Sequence, residues 1–219
     1  MVQKRKDEPD SSAQREPGAP KRRGRPRAYE PNVALGKALD LFRRSGFAAT
    51  SLDDLSAATG MNRPSLYGAF GDKRELYIKS YQRYRDEARA RTAEIFRNDW
   101  PVRKQLERIF ATALDIYLSG EEGPRGCFTV MTAGSEAVAD PDIRAMVQDA
   151  LTELDKAFAH CFRRAKEKGE LPDGADPLVL AQLASATIHS IAVRARAGTP
   201  RKELEAIVKG AIEVMLSKD

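Results

Sequence analysis

Residues 46–77 read GFAATSLDDLSAATGMNRPSLYGAFGDKRELY, and their punctuation decides the fold. Ser51 followed three residues later by Asp54 opens a helix like a capping box, in which two side chains satisfy amides that the first turn leaves without partners. That helix runs through Leu55 to Thr59 and stops at Gly60, the residue type that enters a left-handed backbone conformation without steric penalty. Asn62 then caps a second short helix through Phe70. Asp72 with Glu75 repeats the pattern and begins a long helix carrying Leu76, Tyr77, Tyr81 and Tyr84 toward Phe96. Small Ser56 before the glycine turn and apolar Leu66 after it let the two short helices approach and share a core. The spacing therefore predicts a helix-turn-helix whose second helix leads into a DNA major groove with Asn62, Arg63, Ser65 and Tyr67.

Upstream, Leu35, Ala38, Leu39, Leu41 and Phe42 form one helical stripe that ends at Gly46. Residues 1–28 are charged and rich in Pro, Ser and Gly, with almost nothing to bury, and are expected to be a disordered arm. Within it the run Lys21-Arg22-Arg23-Gly24-Arg25-Pro26-Arg27 places five cations in seven residues. Arg23, Arg25 and Arg27 on an extended chain suit the narrow minor groove of A·T-rich DNA, and the run resembles an AT-hook core. The same run also fits a solubility tail.

Downstream, the chain is helical to its end, giving an all-α fold of about nine helices. Asp99 before Pro101, Asp140-Pro141, Asp176-Pro177 and Thr199-Pro200 each pair a capping residue with a proline at a helix start. Residues 141–167 and the last helix carry apolar stripes of ordinary width. The helix at about 177–197 is apolar around most of its circumference, with Leu178, Val179, Leu183, Ile188, Ile191 and Val193 among its residues. A helix of that kind must be covered on nearly all sides, so it and the last helix are expected to pack against their copies in a homodimer, with a fully internal helix of a monomer as the alternative.

Composition narrows the function. The 219 residues carry a net charge of +5, concentrated in the first half, which suits a polyanion partner. Nothing is expected to reach the length of a bilayer span, and no secretory signal is visible, so the expected compartment is the cytoplasm and no membrane partner is expected. Two cysteines fit a reducing compartment. Without Cys-x-x-Cys or a Gly-rich phosphate loop, no metal and no cofactor is expected. His160 and His189 lie 29 positions apart on different helices and suggest no catalytic set, so an enzyme is not expected.

The stretch 46–77 resembles the DNA-binding region of the tetracycline-repressor (TetR) family. The Gly-aromatic start, Thr50-Ser51, the Gly60 turn, Leu66-Tyr67, Phe70 and Lys73-x-Glu75-x-Tyr77 occur together and in order. The resemblance implies a DNA-binding domain over 29–76, an effector-binding and dimerisation domain over 77–219, and a homodimer on palindromic double-stranded operator DNA. It implies base reading by Arg63 and Ser65, and phosphate contacts from Thr50, Ser51, Tyr67 and Lys73. Asp53 stands where many members carry a basic residue, Pro64 replaces a common glycine, and Gly68-Ala69 replace a frequent His-Tyr, so no relative's operator transfers. The resemblance also implies a pocket for an unknown small-molecule effector, with Phe110, Leu114, Tyr117, Cys127, Met131, Phe158, Phe162 and His189 as candidate lining. The same aromatic stripe also makes a core. His189 likewise fits a core or interface histidine. Cys127, opening the sixth helix, reads either as a thiol activated by the helix dipole or as a small buried hydrophobe. The function implied is a repressor released by its inducer. A nonspecific architectural DNA-binding protein without an effector is the alternative.

Overall fold

The computed structural model describes residues 30–120 and 123–217. The arm expected over residues 1–28, with Arg23, Arg25 and Arg27, lies outside the described residues. Ten helices and no strand occur among the described residues: α1 (Pro31–Ser45), α2 (Leu52–Thr59), α3 (Arg63–Phe70), α4 (Lys73–Arg97), α5 (Val102–Leu118), α6 (Phe128–Ala133), α7 (Glu136–Ala139), α8 (Pro141–Glu167), α9 (Pro177–Arg196) and α10 (Arg201–Leu216). The expected count of about nine omits α7, a single turn that carries too little periodicity to register in a sequence window.

Local chemistry sets most boundaries. Ser51 accepts from the Asp54 amide while the Asp54 carboxylate accepts from the Ser51 amide, and Asp72 and Glu75 do the same at α4. Asn62 accepts from the Ser65 amide at the start of α3. Gly60 sits at φ 71° and ψ 19°, the left-handed conformation that ends α2 and turns the chain into α3. Asp140 and Asp176 cap α8 and α9. The expected caps at Asp99 and Thr199 are corrected: α5 and α10 begin after Pro101 and Pro200 with no side-chain cap. Asp99 instead pairs with Arg164 and Lys168, tying the α4–α5 link to the end of α8.

Phe42, Leu55, Leu66, Phe70 and Tyr77 are buried together, packing α1, α2 and α3 on the start of α4. Further along, Phe128 of α6 is fully buried, and the rings of Tyr77, Tyr81 and Tyr84 meet it edge-on at 5.2, 5.6 and 5.8 Å between centroids. Three successive turns of α4 are thus pinned to one ring. Arg74 of α4 reaches Asp140 at 2.5 Å and Asp142 at 2.7 Å, fixing α4 to the N-terminus of α8. This link holds the Asp140 carboxyl well below its ordinary range, at about 2.

The expectation that no stretch approaches bilayer length is corrected at α9. Its 20 residues reach a mean hydropathy of 1.4 and are long and apolar enough, by length and composition, to cross a membrane. In this fold α9 is the central helix, packed on α5, α8 and α10. Its outward face stays open, with Leu178, Val179, Leu183 and Val193 all about half exposed. Val179, Leu183, Ala186, Ser190 and Val193 follow one another at alternating steps of four and three, the period of a helix-pairing seam.

Candidate nucleic-acid interface and internal cavity

The α2–turn–α3 unit presents an exposed surface. Tyr67 is 47% exposed and the Arg63 side chain 54% exposed. Gly68 of α3 has open space beyond its Cα. Arg63 is not a free cation: its Nε and Nη2 donate to Asp53 Oδ1 of α2 at 3.2 and 2.8 Å. Lys73 stands at the start of α4 with its ammonium 4.2 Å above the Phe47 ring. Ser51 is exposed, but its hydroxyl is engaged with Asp54. Asn62 spends its side-chain oxygen on the α3 cap, leaving its amide nitrogen for outside contacts.

Thr50 departs from expectation. It is 1% exposed and donates to the Gly46 carbonyl at 2.6 Å. Its hydroxyl shapes the α1–α2 turn from within and cannot reach a phosphate without turning outward.

The second feature is a cleft of about 230 Å³ between α4, α5, α8 and α9, open to solvent on one side. Its walls are apolar, with Ile95, Phe96, Ile109, Ile116, Leu151, Leu154 and Ile188, and its width comes from small residues, Ala88, Ala93, Ala113, Ala150 and Ala157. Tyr117, Cys127 and His189, expected to line a pocket, do so. Phe110, Leu114, Phe158 and Phe162 do not; all four are buried to within 2% exposure and fill the core between α5 and α8. Met131 is half-buried on α6 and also lies outside the lining. The Cys127 thiol is buried and accepts from the Tyr84 hydroxyl at 3.4 Å, and Cys161 donates to Gln105 at 3.3 Å. Burial pushes the Cys161 thiol up to about 12, so it stays protonated. Arg85 and Arg89 at the mouth share Glu153.

Burial drives the His189 imidazole below its ordinary value, with Asp155 opposing. Since the folded imidazole holds its proton less tightly than the unfolded one, it detracts from stability below pH of about 6.5, and the penalty fades as pH rises through that value. We therefore expect His189→Gln to flatten the loss of Tm between pH 7 and pH 5, checked by thermal melts of both proteins across that range. An unchanged acid slope would refute the burial effect.

Sequence reasoning missed the groups joining the two features. Arg43 of α1 is 7% exposed, donates to the carbonyls of Ile116 and Gly126 at 2.9 and 3.2 Å, and lies 5.3 Å from the centre of the Tyr84 ring, which itself lines the cavity. Arg196 at the end of α9 donates to the carbonyls of Arg43 and Arg125. The signal was present, since Arg43 stands four residues after Leu39 and so falls on the buried stripe of α1.

The profile of bacterial regulatory proteins of the tetR family matches residues 34–79, and that of the tetracyclin repressor-like C-terminal domain matches residues 102–211. The HTH-type transcriptional repressor ComR of Escherichia coli (strain K12) is 30% identical over 185 residues, covering 84% of this chain and 88% of that protein. The HTH-type transcriptional repressor BdcR of the same strain is 36% identical over 107 residues, 49% of this chain and 54% of its own length. Among solved structures, a cysteine-substituted TetR family regulator CifR complexed with 26-base-pair double-strand operator DNA superposes with a TM-score of 0.76 at 28% identity, covering 88% of this chain and 100% of that one.

Proposed function

Because the chain belongs to the tetR family of bacterial DNA-binding transcriptional regulators, we propose that it is a homodimeric repressor that leaves its operator when a small molecule occupies the α4–α5–α8–α9 cavity. The observation that carries the reading is the pairing of an exposed helix-turn-helix with a mostly apolar cavity, both bounded by α4. A shift of α4 on ligand entry changes the separation of the two recognition helices in the dimer. Both half-sites can then no longer be held at once, which constitutes a coupling free energy between cavity and DNA. The division into a DNA-binding part over 29–76 and an effector and dimerisation part over 77–219 follows from the same reading, as does a cytoplasmic site of action.

Arg63, Ser65 and Tyr67 are proposed to meet the major groove, with Ser51 and Lys73 at phosphates. The effector has an apolar body, since most of the lining is aliphatic. Arg85, Arg89 and Arg91 outnumber Glu153 in the lining, which disfavours a cationic head.

The test is a footprint of the full chain on the DNA upstream of its own gene, repeated with Arg63→Ala. We expect protection of a pseudo-palindrome by the native protein. Loss of about 1 to 3 kcal/mol of binding in the variant should be confined to the specific site. Uniform protection, or an equal loss on all sequences, favours the architectural alternative.

A further inference from the structure

Asp53 carries a negative charge on the surface offered to a polyanion, 77% exposed at the side chain and one position into α2. By charge alone it works against DNA binding. Its contact with Arg63 gives it a use. Arg63 is the first residue of α3, where a recognition helix leads into the groove. Its Nε and Nη2 both donate to the single oxygen Asp53 Oδ1, at 3.2 and 2.8 Å. The guanidinium is a planar fork of five N–H groups. The Asp53 contact occupies its side edge, one hydrogen from Nε and one from Nη2. The other Nη2 hydrogen and both Nη1 hydrogens remain, and two of these project in parallel from the end of the fork. That end is the pair of donors that matches O6 and N7 of a guanine in the major groove.

We propose that Asp53 is a positioning residue that locks Arg63 end-on for a guanine in each half-site, raising sequence discrimination while lowering affinity for DNA at large. The inference rests on the operator-binding reading above. Two physical effects act in opposite directions. Fixing the arginine before binding removes the loss of side-chain freedom that a loose arginine suffers on docking, a gain realised only where a guanine meets it. A carboxylate beside the DNA backbone repels phosphates on every sequence, matched or not. An exposed ion pair contributes little to stability in the free protein, so the effect of removing it falls on recognition rather than folding.

The opposed signs make the experiment decisive. The full-length native protein, Asp53→Asn and Arg63→Ala are each used to select from a pool of randomised duplex DNA, and each is then titrated on the selected site and on a scrambled duplex at fixed salt. The native protein should enrich a palindromic motif with a G·C pair in each half-site, at which Arg63→Ala loses all preference. Asp53→Asn should keep the rest of the motif, lose about five- to tenfold of preference at that one pair, and bind the scrambled duplex about two- to fivefold more tightly. A merely structural role would weaken binding on both DNAs together, and unchanged melting of Asp53→Asn excludes it. If the native protein enriches a motif and Asp53→Asn enriches the same one with equal preference, the positioning role alone is overturned. If Asp53→Asn discriminates better than the native protein, Asp53 masks Arg63 instead and the proposal is likewise overturned. If the native protein enriches no motif, the operator reading falls and the proposal with it.

Discussion

Leu183→Glu is expected to give a monomer that still folds but grips operator DNA about a hundred- to a thousandfold more weakly, because two tethered recognition helices bind with an effective concentration that one alone lacks. Leu183 is 46% exposed in the middle of the α9 seam, between Val179 and Ala186. A carboxylate there replaces apolar area that the second copy would cover and places two like charges against each other across a two-fold axis. Beside it, α10 offers Ala206, Gly210 and Val214 at successive steps of four, all exposed, a flat surface on which a second helix can lie closely. Sedimentation velocity reads the mass and a titration on operator DNA reads the affinity, with circular dichroism reporting helix content. A dimeric Leu183→Glu protein with native operator affinity would remove α9 from the interface and require another explanation for four half-exposed aliphatic side chains on one helix.

The parts of this fold that the sequence revealed are those set by near neighbours. Ser51 with Asp54, Asn62 with the Ser65 amide, Asp72 with Glu75 and Gly60 in its left-handed turn all act within three or four residues, so the helix-turn-helix is legible in the order of its letters. Asp99 misleads for the converse reason: its partners Arg164 and Lys168 lie more than sixty residues away, and a nearby proline gives no hint of them. The cavity is hidden for a different reason. It exists where Ala88, Ala113, Ala150 and Ala157 leave room on facing helices, and a missing volume has no residue to announce it. Aromatic residues drew attention instead, and Phe110, Phe158 and Phe162 proved to be the wall's filling, not its surface. Beyond Tyr84, α4 carries a polar run from Arg85 to Arg91, with no apolar stripe to mark a cavity wall, yet it supplies much of the lining. Asp53 stood out only as a misplaced charge until Arg63 was seen at its side.

Phe128→Ala should be the most destabilising single change among the core residues discussed, lowering stability by about 3 to 5 kcal/mol and the Tm by on the order of 10 °C in a chain of this size. The ring is wholly buried and is met edge-on by Tyr77, Tyr81 and Tyr84, so its removal leaves a void and also takes away three aromatic contacts, each of about 0.5 to 1.5 kcal/mol beyond area. The tyrosines cannot readily collapse inward. The Tyr77 hydroxyl is held by Thr132 at 2.8 Å and Glu136 at 2.9 Å, and the Tyr84 hydroxyl by Cys127. Burial raises the Tyr81 hydroxyl to about 12, so a tyrosine moved into a dry void must keep a hydrogen-bond partner as a neutral phenol. Phe128→Leu, which restores most of the volume without the ring, should recover about half of the loss. The pair of variants separates cavity from aromatic geometry: if both fall equally in denaturant melts, the edge-on contacts dominate, and if Phe128→Leu is near native, volume does. Because α4 bounds the cavity and directly follows the recognition helix, loosening its packing on α6 should make the alanine variant lose operator affinity at temperatures well below its own midpoint.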